Sequence, residues 1–111
     1  MEQIEVSRKI QDYVEELELR KKTLENFVKS KKIHKALLAL NKKVETETIK
    51  AKFDEKVPVT LIGNIVKGKC ADEYADYEQA GMEYRAAVKL IEATESQMNA
   101  YQSIFRWQSE I

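Results

Sequence analysis

Apolar residues fall on two helical stripes along residues 71–111. One runs Tyr77, Tyr84, Val88, Ile91, Met98, Tyr101, Phe105, and the other runs Ala86, Leu90, Ala93, Ala100, Ile104, Trp107, Ile111. This is helical spacing, not the alternation of a strand. From Asp72 to Glu110 there is no Pro and the only Gly is Gly81, while good helix formers dominate. Asp72, Glu73 and Asp76 sit in the first turns, where carboxylates favour the positive end of the helix dipole. Successive residues turn by about 100°, so the two stripes cover roughly 200° of circumference, twice what one core-facing side needs. The pattern predicts a long C-terminal helix with two neighbours, either both inside the chain or one inside and one on another subunit. A short chain has few elements to cover both stripes, which favours the second arrangement. Leu90, Ile104, Trp107 and Ile111 are therefore candidate partner-binding residues, with Trp107 as the anchor. Tyr77 and Tyr84 lie on a different side from Met98 and Phe105, so the inward stripe drifts. That suits a straight helix changing partners better than a strict supercoil.

The N-terminal pattern is more regular. Val6, Ile10, Tyr13, Leu17, Leu24 and Phe27 fall on alternating four- and three-residue steps, with Arg20 at the one polar seam position. This heptad seam predicts an amphipathic helix. Continued, the seam becomes half polar: Ser30, His34, Leu37, Asn41, Val44, Thr48. One helix over residues 1–50 is allowed, and so is a break near Lys29 to Lys32 with Ser30 as N-cap of a second helix. The apolar cluster Ile33, Leu37, Leu38, Leu40 looks like a fresh packing face and favours the break. Residues 51–70 form a hinge, because Pro58 removes a donor and disfavours helix at Val57. Residues 59–68 read either as a short helix with Thr60 as N-cap and Gly68 as its stop, or as a hairpin turning on Gly63-Asn64. A lone two-stranded hairpin is marginal, which favours the helix. The expected fold is a single all-α domain, an elongated helical hairpin or bundle with a long C-terminal helix, and oligomeric.

Composition narrows the function. A chain of 111 residues is one domain by length, and its 43% hydrophobic content is too high for disorder. Cys70 and His34 are each the only residue of their kind, which leaves no disulfide framework, zinc set or catalytic triad. No enzyme activity, metal or cofactor is expected. Cys70 and His34 read as structural residues. No signal peptide or long apolar span is visible, so a cytoplasmic protein with no membrane partner is expected.

Charge adds the sharpest clue. The totals balance at nineteen basic and nineteen acidic residues, yet their distribution is uneven. Residues 1–28 carry a net of −2, residues 29–69 a net of +7 with every basic group a Lys, and residues 70–111 a net of −5. Either the basic middle packs against the acidic end, or Lys29, Lys31, Lys32, Lys35, Lys42, Lys43, Lys50 and Lys52 line a surface for a polyanion. Arg is absent from this stretch, so such binding would be sequence-independent.

The run Ile49-Lys50-Ala51-Lys52-Phe53-Asp54 resembles the short basic-apolar motif of the phage UvsY-type recombination mediators. The layout is also similar: a helical N-terminal half, the motif, an interruption, then a long terminal helix. The resemblance implies a small helical protein that assembles into rings, binds single-stranded DNA and loads a recombinase. It implies DNA contacts from Lys50 and Lys52, with Ile49 and Phe53 packing beneath. The leading expectation is a non-enzymatic recombination accessory that binds single-stranded nucleic acid through the Lys-rich middle. Its protein partner, a recombinase or host factor, would sit on helical faces. The alternative is a protein-only inhibitor or adaptor, such as a phage anti-defence protein, that occludes a partner surface.

Overall fold

In the computed structural model, which describes residues 2–110, every regular element is helical, so the all-α expectation holds. The elements are α1 (Gln3–Ser30), α2 (Lys32–Lys52), a 3-10 turn (Val59–Leu61), α3 (Ile62–Lys69) and α4 (Ala71–Glu110). At a rise of about 1.5 Å per residue, α4 is about 60 Å long. The described residues contain no strand, which excludes the hairpin over residues 59–68.

The chain forms two compact units. One combines residues up to Lys29 with those from Tyr84 onward, and the other is Ser30–Glu83. In the first, α1 and the C-terminal part of α4 run antiparallel. Gln3 meets Ser109, Tyr13 stacks on Tyr101 at 5.6 Å, Lys21 reaches Glu95 at 3.8 Å, and Phe27 approaches Tyr84 at 6.5 Å. Every position of the α1 seam is buried or half-buried, with Val6 and Leu17 deepest. Arg20 is half-buried at its seam position and pairs with Glu16 one turn back. The facing seam on α4 includes a polar residue that hydrophobic spacing passes over. Thr94 is buried, and its hydroxyl donates to the Leu90 carbonyl at 2.8 Å.

The drift expected along α4 goes with both a heptad period and a change of partner. Tyr77, Ala80, Tyr84, Ala87, Ile91, Thr94, Met98, Tyr101 and Phe105 follow unbroken steps of three and four, and all but Tyr84 are buried or half-buried. A period of 3.5 residues moves about 20° per heptad around a straight helix. The displacement of Tyr77 from Phe105 is that heptad drift accumulated over four repeats. Partners do change along α4, since Tyr77 packs on the core of the second unit and Tyr101 on α1.

The break between α1 and α2 falls within the expected stretch from Lys29 to Lys32, but its cap residue differs. Ser30 is the last residue of α1, not an N-cap, and Lys31 alone turns the chain with φ 56 and ψ 31. A left-handed residue other than Gly or Asn carries a conformational cost. The interruption moves the seam by one position. Ser30, His34, Asn41 and Val44 are exposed, while Ile33, Ala36, Leu40, Glu47 and Ala51 form the inward face of α2. Leu40 packs with Val66 and Cys70, and Ile62 and Tyr77 close over them.

The turn chemistry around α3 also differs from expectation. Pro58, at φ −59 and ψ 138, leads into the 3-10 turn, so Thr60 lies inside that turn and caps nothing. Gly68 keeps a negative φ and α3 continues to Lys69. Cys70 is the single non-helical residue before α4, and the Tyr74 amide donates to its carbonyl at 2.9 Å.

Candidate nucleic-acid interface

The Lys-rich segment becomes α2, and helical geometry sorts its lysines. Projected around the axis, Lys32, Lys35, Lys42, Lys43 and Lys50 fall within an arc of about 100° on the flank next to Leu40, Glu47 and Ala51, with the half-buried Lys43 nearest Glu47. From Lys32 to Lys50 that arc extends about 27 Å along the helix. Lys31 directly precedes it. Lys52 lies on the other flank, and Lys29 belongs to the last turn of α1, where it pairs with Glu25 at 2.7 Å. Six of the eight candidate lysines are thus gathered along or next to one face.

Carboxylates engage some of them. Lys32 donates to both oxygens of Glu83 at 2.9 and 2.8 Å, a contact from α2 to the acidic start of α4. Those hydrogen bonds, against some desolvation, hold the Glu83 carboxyl below its ordinary pKa, with help from the Lys32 charge and from Gln79. Lys43 and Lys50 approach Glu47 at 3.6 and 3.7 Å. Among the described residues, Lys31, Lys35, Lys42 and Lys52 have no carboxylate within ion-pair distance. The expected pairing with the acidic C-terminal helix therefore accounts for Lys32 alone among the eight.

Glu47 is the site residue that spacing alone misses. It is 6% exposed, and Lys69 at the end of α3 reaches its Oε2 at 3.6 Å. Burial alone raises its pKa, yet Lys50, Lys69 and Lys43 together bring it below the ordinary value. At these separations the contacts are charge attraction rather than hydrogen bonds, and Oε2 accepts none. Its signal in the sequence is the pair of lysines at i−4 and i+3. The i+3 and i−4 spacing marks an ion cluster, while the inward direction follows only from the register after Lys31.

The motif at residues 49–54 is rearranged relative to the resemblance. Lys50 and Lys52 are exposed as expected, but Ile49 and Phe53 are 50% and 85% exposed, and Ala51 is the residue packed inward. The inward face of α2 runs Leu40, Glu47, Ala51, and Ile49 projects about 180° from it.

Two apolar features accompany the basic face. A groove of about 790 Å3 opens between α2, α3 and the start of α4, with walls from Leu40, Val44, Ile62, Val66 and Tyr74. On α4, Leu90, Ile104 and Trp107 are all exposed, Trp107 at 65%. Ile111, the fourth expected partner residue, lies outside the described residues. His34 is exposed and Cys70 buried, and no helix among the described residues is long and apolar enough to cross a membrane. Compared with protein-family models, curated proteins and solved structures, the chain matches none.

Proposed function

We propose that this protein is a non-enzymatic accessory that binds single-stranded nucleic acid along the basic face of α2. The observation that carries the reading is the gathering of five lysines in one arc, where Lys35 and Lys42 have no carboxylate within ion-pair distance among the described residues. Ammonium groups on a helix flank neutralise phosphates and release condensed counterions, which is a sequence-independent source of affinity. Lysine suits that role better than base reading, since it lacks the planar fork of Arg. Work as a recombination mediator, which the motif at residues 49–54 implies, also requires a protein partner on another face.

The test is fluorescence anisotropy of a labelled single-stranded oligonucleotide over a range of salt. Affinity is expected to fall steeply with salt. Lys35→Ala with Lys42→Ala is expected to weaken binding and to reduce the log–log salt slope by about 0.7 per lost contact. Absence of binding at low salt, or affinity indifferent to salt, rules the reading out. The exposed apolar stripe of α4 favours a second reading, an adaptor or inhibitor that occludes a protein surface. In that case the lysine substitutions leave partner binding unchanged and Trp107→Ala abolishes it.

A further inference from the structure

We infer that the exposed stripe of α4 pairs antiparallel with the same stripe of a second copy of this chain. The inference is independent of the nucleic-acid reading. Leu90, Ala93, Gln97, Ala100, Ile104 and Trp107 follow steps of three and four without interruption, and all six are exposed. The first five each stand one residue before a member of the inward seam: Ile91, Thr94, Met98, Tyr101 and Phe105. The two seams are therefore about 100° apart around the helix. That is the layout of a bundle helix with two neighbours. α1 occupies the inner seam and the outer one is open.

Size and charge along the outer seam select the occupant. An antiparallel register that sets Leu90 opposite Trp107 also sets Ala93 opposite Ile104 and Gln97 opposite Ala100. In the Ala93–Ile104 and Gln97–Ala100 layers a larger side chain then faces an alanine, and the large Leu90–Trp107 layers close the two ends of the seam. In the same register Lys89 comes beside Glu110 of the other copy, and Ser96 beside Ser103. A parallel pair would stack Trp107 on Trp107 and Ala93 on Ala93, holding the helices apart at one layer and leaving a gap at another. It would also align the two dipoles, which the antiparallel pair opposes favourably. The two Gln97 side chains flank the twofold axis, where a polar residue in an apolar seam fixes register.

The seam from Leu90 to Trp107 is about 26 Å long on a helix about 10 Å wide. Such a strip is small beside the roughly 800 Å2 per partner of a stable complex, so the dimer belongs to the weak, dissociating class. Its pairing is isologous and closes at two subunits.

Sedimentation equilibrium on the full chain, from low micromolar to submillimolar concentration, tests the assembly. A monomer–dimer equilibrium is expected, weakened at least about tenfold by Trp107→Ala. Orientation is read by oxidative cross-linking, with the unmodified chain as the control for Cys70. Ala93→Cys mixed with Ile104→Cys is expected to give a disulfide-linked pair, and neither variant alone is expected to cross-link. Lys89→Glu is expected to weaken the dimer about two- to fivefold, and adding Glu110→Lys to restore it. These positions are exposed, so circular dichroism should report unchanged helicity. A monomer at every concentration, self-cross-linking of Ala93→Cys, or no rescue by the double charge reversal overturns the proposal.

Discussion

Glu47 shows what one carboxylate can do when its surroundings oppose its charge. Burial alone would favour the protonated form, but Lys50, Lys69 and Lys43 reverse that preference. The folded state therefore holds this group's proton less tightly than the unfolded chain does. Stability from Glu47 is present above the ordinary value of 4.5 and is lost as pH falls through that value and below. Glu83, held down by Lys32, contributes with the same sign. Urea unfolding midpoints should thus drop between pH 6 and about pH 3. Glu47→Gln should be less stable than wild type at pH 7, since three ammonium groups lose their common counter-charge. The two proteins should converge in acid, and equal stabilities at both pH values would contradict this account. The residue scale was the least legible in the sequence. Lys31 has no local feature that marks a left-handed turn, which Gly or Asn would have signalled. Once that turn goes unseen, the α1 register carries on and places Glu47 outside the seam and His34 within it.

Elements were far more legible, because long periodic segments average over such local errors. The α1 seam from Val6 to Phe27 is buried or half-buried at each position that its four- and three-residue steps name. The expected start of the last helix at residue 71 is where α4 begins. What the spacing concealed was polarity, as Thr94 takes a buried seam position by returning its hydroxyl proton to its own helix. Depth in the α1–α4 seam has a measurable consequence. Leu17→Ala removes a side chain that is 9% exposed and should cost about 2–4 kcal/mol. Leu19→Ala, two residues away but 67% exposed, should change stability by less than about 0.5 kcal/mol. Chemical denaturation of the two variants checks the contrast, and equal costs would contradict the seam assignment.

For the molecule as a whole, the two units have separate apolar interiors and share one helix. The first rests on the long seam between α1 and α4, and the second on the cluster of Leu40, Val66 and Cys70. Two facts were beyond reach of the one-dimensional pattern. A 3.5-residue repeat along α4 serves both interiors, and the segment between the hairpin arms has a core of its own. Separate interiors open as separate cooperative units, each with its own free energy.

Cys70 gives that opening a chemical reading. The only thiol in the chain is 3% exposed and sits inside the cluster of the second unit. Cys70 lines the groove between α2, α3 and the start of α4. Its near-complete burial ties reaction with a thiol reagent to a parting of the groove wall, so its rate of modification in native buffer works as a clock for that event. Leu40→Ala should quicken the clock strongly, whereas Leu17→Ala, in the other unit, should quicken it much less. The native sequence thus already carries its own dynamic probe, with no label to be engineered.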